Sequence, residues 1–508
     1  MTQLRSTTRN RKDYGDFQTP HGLVAEILDA LERVGVRSPD RVLEPTCGRG
    51  HFLGELVHRT NPPREIVGFE IQADHAEVAR SIESPDGLTT LDVQTADIFQ
   101  VDLARDLRWQ GEGSLLVVGN LPWVTTAALG ASGGSNGPVR SNLKRLRGID
   151  ARTGDSNFDI SEAIWLKLIR ELSPQEPTMA LLCKSAVARA VLQRIQADDL
   201  PVTRARLWKI ETWRWFKAAV EACLLVVEVG PGPRATEAEV FDSLSDLEPG
   251  STLGLIDHQL IADLDAYQSV AFADGRSSLV WRQGIKHDAS PVMELTEGQD
   301  GRLFNKLGEV VDVEPDFVFP LLKGSDLGGI ETDRPRRSVI VTQNRLGDDT
   351  ETLESRAPRL WAYLVGHRSF FDRRKSSIYR GRSSFCLFGV GDYSFAPFKV
   401  AVSSLHKHAR FRLVDSVEGR PTMLDDTCYF LPCRTREQAA ILVEVLNGSV
   451  ALGLIRSLAF SDAKRTVTKK LLQRIDLEAI LDRKGQKALW HDEWAADWIR
   501  PPRSLTTR

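Results

Sequence analysis

The chain has 508 residues, 42% hydrophobic and 27% charged, which is ample core for two or more domains and excludes disorder of the chain as a whole. The formal net charge of −3 means that any nucleic-acid-binding surface must be local. Cys47, Cys183, Cys223, Cys386, Cys428 and Cys433 form no CxxC pair, a usage that fits a reducing cytoplasm and argues against a disulfide framework and a metal site.

The opening segment, MTQLRSTTRNRKDYGDF, is basic and lacks the apolar core of a signal sequence. No apolar run reaches the length of a membrane span, so none is predicted. From about residue 20 to 230, short apolar runs alternate with amphipathic stretches. RVLEPT, EIVGFEI, SLLVVGN, MALLCKS, ARLWKIE and ACLLVVEV read as strands. HGLVAEILDALERVG, HFLGELVHRT, ADHAEVARSIE, ISEAIWLKLIREL and AVARAVLQRIQADD read as helices. The alternation predicts an α/β fold with a mostly parallel sheet covered on both faces. Residues 130–157 are rich in Gly and Ser, then basic, and suit either a functional loop or a solvated insertion. A shift to Gly, Pro and charge at 230–239 predicts a linker, placed at 231–254. Residues 255–508, with shorter strands and fewer clear helices, are expected to form a second, mixed α/β domain.

VLEPTCGRGHFLGEL reads as strand, Gly-rich turn and helix. Gly48 and Gly50 permit a tight turn and close approach to a ligand, and the following helix aims free N–H groups there. Glu70 ends the next strand, where a carboxylate can accept hydrogen bonds from both hydroxyls of a ribose. This pattern suits a dinucleotide or S-adenosylmethionine, and Gly48, Gly50 and Gly54 even give a loose nicotinamide-cofactor spacing. Glu44, beside Pro45, favours a ligand with a cationic amino-acid end over a pyrophosphate. ADIF, residues 96–99, offers Asp97 to an adenine amino group and Ile98 or Phe99 as an apolar wall, although Asp97 equally suits a helix cap.

GNLPW, residues 119–123, closes the fourth strand, where open α/β sheets bind ligands. Adenine's exocyclic amino group is a poor nucleophile because its lone pair is delocalised into the ring. Two acceptors around its N–H bonds pull it toward tetrahedral geometry. The Asn120 side-chain oxygen and the Leu121 carbonyl can supply them. Pro122 restricts Leu121 to an extended conformation, and Trp123 offers a flat stacking face. A plain turn would explain the composition but not the location.

Taken in order, these motifs resemble the gamma-class amino-methyltransferases that methylate adenine N6 in DNA. YGDFQTP, residues 14–20, resembles the family's N-terminal motif, implying cofactor contacts by Thr19 and Pro20. LEPTCGRGHF resembles the main cofactor motif, with Glu44, Thr46, Gly48 and Gly50; GFEI and ADIF resemble the ribose and adenine contacts, with Glu70, Ile71, Asp97 and Ile98. GNLPW stands where the family has Asn-Pro-Pro-Tyr or Asn-Pro-Pro-Trp, so the resemblance implies Asn120, Leu121, Pro122 and Trp123 as catalytic residues. Asn120 is also counted among the cofactor contacts. WFKAAVEACLLVVEV resembles the late motif whose aromatic sandwiches the flipped base: Phe216, with Trp215 in reserve.

The resemblance thus implies a Rossmann-like class I methyltransferase fold on a seven-stranded sheet over residues 1–230, S-adenosylmethionine as cofactor, and a target-recognition domain over 255–508. Leu121 departs from the family pattern and matches ribosomal RNA adenine dimethylases, which leaves RNA as an alternative substrate. A methylase-like subunit that binds DNA and needs a partner is a further alternative. Restriction–modification or phage defence is the implied setting, with double-stranded DNA, and a separately encoded endonuclease or defence subunit, as partners.

Residues 355–412 hold 12 Lys or Arg against two Asp or Glu. Within them RRKSSIYRGR makes Arg373, Arg374, Lys375, Arg380 and Arg382 candidates for DNA contact, against the alternative of a solvated charged face. FPLLKGSDLG, FGVGDYSFAPFK and MLDDTCYFLPC complete this domain's notable segments, the first and last resembling pieces of recognition domains in related methylases.

Overall fold

The computed structural model describes residues 18–124, 159–328, 335–460 and 465–496, apart from positions 37, 86, 219 and 258. The Gly/Ser-rich stretch at 130–157 and residues 14–17 of the N-terminal motif therefore lie outside the described residues. The chain divides into two compact units, Met1–Asp265 and Ala266–Arg508. Among the described residues, no single helix is long and apolar enough to cross a membrane.

In the first unit the elements run α1 (His21–Arg33), β1 (Arg41–Glu44), α2 (His51–Val57), β2 (Glu65–Glu70), α3 (Ala73–Arg80), β3 (Thr90–Thr95), α4 (Leu103–Asp106) and β4 (Leu115–Asn120). After the undescribed segment come α5 (Ile160–Leu172), β5 (Thr178–Lys184), α6 (Ser185–Ala197), β6 (Val202–Ile210), α7 (Thr212–Phe216) and β7 (Ala222–Val229). Their strands lie in the order β3-β2-β1-β4-β5-β7-β6, all parallel except β7, which runs against both neighbours. This is the expected Rossmann-like sheet. β2 is buried along its whole length and β4 along all but its last residue, as continuous apolar runs covered on both faces must be. α1 buries Leu23, Val24, Ile27, Leu28 and Leu31, one face at helical spacing. Strand order reverses between β1 and β4, so their carboxyl ends open a crevice there.

In the second unit, β11 (Arg282–Gln283), β16 (Phe398–Ser403), β17 (Arg412–Asp415) and β19 (Cys428–Cys433) form one sheet. β12 (Glu294–Glu297), β13 (Leu303–Asn305), β14 (Val318–Leu322), β15 (Arg337–Ile340) and β18 (Met423–Leu424) form another. FPLLKGSDLG supplies β14 and MLDDTCYFLPC supplies β18 and β19. The two segments meet: Leu321 pairs with Met423, and the Gly324 N–H donates to Thr427 Oγ1 at 2.9 Å.

The expected linker is not one. Residues 231–254 include β8 (Glu237–Phe241) and most of β9 (Ser251–Ile256), which with β10 (Gln259–Ile261) extend the first unit's sheet to ten strands. The Gly-Pro stretch is only a turn, because Ala238, Val240 and Phe241 behind it are apolar enough to be buried. β8 lies parallel to β6, where Phe241 stacks on Trp208 with ring centroids 4.6 Å apart and planes 8° from parallel. Arg206, buried on β6, bridges Glu228 at 3.0 Å and Glu239 at 3.1 Å. Phe241→Ala should therefore destabilise the protein by about 3–5 kcal/mol. Urea unfolding checks this; a change below about 1 kcal/mol would restore the linker reading.

Candidate active site

The carboxyl ends of β1, β2, β3 and β4 converge on one cleft. It is lined by Thr19, Glu44, Thr46, Gly48, Glu70, Ile71, Asp97, Ile98, Asn120, Leu121 and Pro122, all expected from the sequence. Four expected residues do not line it. Pro20 instead starts α1, its carbonyl accepting the Leu23 N–H at 2.9 Å. Gly50 sits at φ 80° before α2, where a Cβ would lie 2.6 Å from Ile82 Cδ1. Its role is conformational. Trp123 and Phe216 are buried behind the cleft. Gln18, Gln72, Ile160 and Ile164 line it without having been expected; the two isoleucines come from α5, far along the chain and within no motif.

The Gly-rich turn is fastened to the N-terminal segment. The Arg49 N–H donates to Gln18 Oε1 at 3.3 Å, and His51 Nδ1 lies 2.6 Å from the Thr19 carbonyl. Burial holds the His51 imidazole below the usual histidine range despite that bond. Glu70 uses both oxygens on backbone: Oε2 accepts from the Gly48 N–H at 2.8 Å and Oε1 from the Gln72 N–H at 2.7 Å. These two bonds fix the carboxylate at the mouth of the cleft. Asp97 accepts the Phe99 N–H at 3.0 Å, which shapes the turn carrying the apolar wall.

Glu44 is 2% exposed, and its Oε2 accepts no hydrogen bond among the described residues. Burial pushes its carboxyl well above the usual carboxylate range, and the nearby Glu70 charge adds to the shift. A buried carboxylate with an idle oxygen suits a cationic ligand group.

The GNLPW segment is held from several sides. Thr46 Oγ1 donates to the Asn120 carbonyl at 3.2 Å, and the Leu121 N–H donates to the Leu182 carbonyl at 3.1 Å. The Val124 carbonyl accepts the Ile160 N–H at 3.0 Å. Trp123 and Phe216 touch edge to face, with ring centroids 5.1 Å apart and planes at 62°. They therefore form no open slot; each fills the gap beside the other.

In the second unit the basic block is not one surface. Arg374 donates to the carbonyls of Cys386 and Ser384 at 2.8 Å and of Phe371 at 3.1 Å, and lies 3.8 Å over the Tyr379 ring. Its donors are spent inside the unit, so its expected DNA contact is withdrawn. Lys399 is 1% exposed and donates to the carbonyls of Ala396 and Thr422 at 2.9 Å; burial draws its pKa down to about 7. Arg373, Lys375, Arg380 and Arg382 are exposed.

A ligand cleft at the switch point of this sheet, with an acid at the end of β1 and another at the end of β2, defines a class I S-adenosylmethionine-dependent methyltransferase. A family model described as a methyltransferase domain matches residues 37–107. The chain is 35% identical over 478 residues to the Type II methyltransferase M.NspV of Nostoc sp. (strain ATCC 29411 / PCC 7524), covering 94% of this chain and 99% of that protein. The chain belongs to the Type II methyltransferases. A shorter stretch of 77 residues is 36% identical to the Type II methyltransferase M.CvrRI of Paramecium bursaria Chlorella virus XZ-6E, 15% of this chain and 19% of that one. The fold is similar to that of the Type IIL restriction-modification enzyme MmeI, solved in complex with DNA. The TM-score is 0.53 at 14% identity, over 94% of this chain and 77% of that chain.

Because the folded pKa of Glu44 is raised, the folded state holds its proton more tightly than the unfolded state. That contribution to stability is complete below the unfolded carboxyl value of about 4.3 and is lost as pH rises through the folded value. Glu44→Gln should remove this fall and stabilise the cofactor-free protein at neutral pH relative to wild type. Urea unfolding from pH 5 to 8 checks it; parallel profiles for the two proteins would contradict the assignment.

Proposed function

We propose that this methyltransferase modifies DNA at the N6 amino group of adenine. The observation that carries the reading is Asn120, at the end of β4, lining the cofactor cleft beside Leu121 and Pro122. S-adenosylmethionine supplies an electrophilic methyl on a sulfonium. Glu44 faces its ammonium group, Glu70 its ribose, and Asp97 with Ile98 its adenine. Asn120 Oδ1 and the Leu121 carbonyl accept from the two N–H bonds of the target amino group and turn its lone pair toward the methyl. As the new C–N bond forms, the C–S bond breaks and sulfur leaves as a neutral thioether. The amino nitrogen, cationic after transfer, sheds a proton to water, so no strong base is required. Positioning carries the rate.

The target base leaves the duplex, at a cost of a few kcal/mol. Trp123 and Phe216 part before a base stacks between them. Residues 266–508 read the target sequence, with Arg373, Lys375, Arg380 and Arg382 on phosphates. The names of the relatives support DNA as substrate and restriction–modification as the setting. A separately encoded endonuclease is the companion that the family resemblance implies.

Labelled S-adenosylmethionine incubated with unmodified genomic DNA, and separately with total RNA, tests the chemistry. Label should appear in DNA as N6-methyladenine and fall by roughly 100-fold or more in Asn120→Ala. Label as N4-methylcytosine, or in RNA alone, overturns the reading.

Replacing Arg373, Lys375, Arg380 and Arg382 with Gln should weaken DNA binding and flatten its salt dependence. The slope of log K against log salt should lose about 0.9 per phosphate contact removed. An unchanged slope takes these residues off the DNA.

A further inference from the structure

We propose that Ser161 is a positioning residue for methyl transfer, setting the catalytic turn from behind. The inference rests on reading residues 120–123 as the turn that holds the target base, not on which base that is. Ser161 is 0% exposed and is the second residue of α5. Its Oγ donates to the Pro122 carbonyl at 2.7 Å. A serine at a helix start ordinarily serves as its cap. Here Asp159 does that, accepting the Ser161 N–H at 3.2 Å, so the hydroxyl is released for another task.

The task follows from what Pro122 is. Its ring fixes φ and removes its N–H, so its carbonyl is its one backbone hydrogen-bonding group. A bond to that carbonyl restrains ψ. Ring and hydroxyl together set both soft dihedrals of the residue that separates the Leu121 acceptor from Trp123. Ser161 is in turn held by the sheet: Lys184, at the end of β5, pairs with Asp159 at 2.5 Å, fixing the start of α5. Ile160 and Ile164, on either side of Ser161 in sequence, line the cofactor cleft, so α5 ties both substrates' sites to one rigid element.

The test is steady-state kinetics on the full chain with labelled S-adenosylmethionine and genomic DNA, alongside cofactor affinity by titration calorimetry. Ser161→Ala should lower kcat about 10- to 100-fold, the cost of a small misplacement of reacting groups. Its cofactor Kd should stay within about twofold of wild type. Ser161→Thr, which restores a hydroxyl, should recover most of the rate. Ser161→Cys, nearly isosteric and a weak donor, should fall between and guards against an alanine variant that packs badly. A wild-type kcat in Ser161→Ala overturns the proposal. So does a loss of kcat matched by an equal loss of cofactor affinity and not rescued by Thr, since that pattern marks a merely structural residue. The product base is identified in the same wild-type reactions. N4-methylcytosine there would end the adenine reading, while the kcat comparison would still decide the role of Ser161.

Discussion

A buried carboxylate at the end of β1 is the constraint around which the cleft is arranged. Among the described residues one Glu44 oxygen accepts no hydrogen bond, and a second acid, Glu70, stands near enough to raise its proton affinity. Two charges there would be costly, so Glu44 holds its proton unless a cation comes to share the pair. The surrounding backbone keeps the arrangement from collapsing. Gly119, at φ 152°, lies so close that a Cβ there would sit 3.1 Å from Glu44 Cγ. Glu70 is tied to the Gly-rich turn by the Gly48 N–H. The glycine of GNLPW thus packs against the buried acid, while the next residue, Asn120, lines the same cleft. In the proposed reaction this one segment joins the cofactor to the target base.

The same segment is braced from the sheet and from α5. The Leu121 N–H donates to the Leu182 carbonyl on β5, and the Val124 carbonyl accepts the Ile160 N–H at the start of α5. Ser161 Oγ donates to the Pro122 carbonyl between them. These three bonds fix residues 121–124 against two elements far from them in sequence, so the conformation of the segment is set by the fold and not by its own residues alone.

Most of the cofactor side was legible in the sequence because each contact sits within a few residues of a strand end. Strand ends are visible as apolar runs meeting Gly, Pro or acid. Glu44, Glu70, Asp97 and Asn120 all follow that rule. Ser161, Ile160 and Ile164 did not show themselves, because a helix face that meets a turn across an undescribed segment has no local signature. The aromatic pair was legible by type and not by geometry. Two stacked contacts on a base need about 7 Å between ring planes, twice an ordinary 3.5 Å contact. Trp123 and Phe216 stand with centroids 5.1 Å apart and edge to face. A motif specifies residue types; the spacing of two rings that follow β4 and end α7 is set by packing far from either motif. The linker failed for a simpler reason. Gly and Pro mark a turn, and a turn between two strands of one sheet has the same composition as a turn between two domains.

The basic block teaches the same lesson about charge. Counting Lys and Arg over a window treats each as a surface cation. Inside the second unit, Arg374 and Lys399 spend their donors on backbone carbonyls that strand pairing has left unpaired. A guanidinium with five donors can close several loop carbonyls at once, which makes it useful where a loop such as 373–386 must be stiffened. Only cations whose charge still faces water can release counterions from a polyanion. Arg373, Lys375, Arg380 and Arg382 meet that condition, and Arg374 between them holds in shape the loop from which they project.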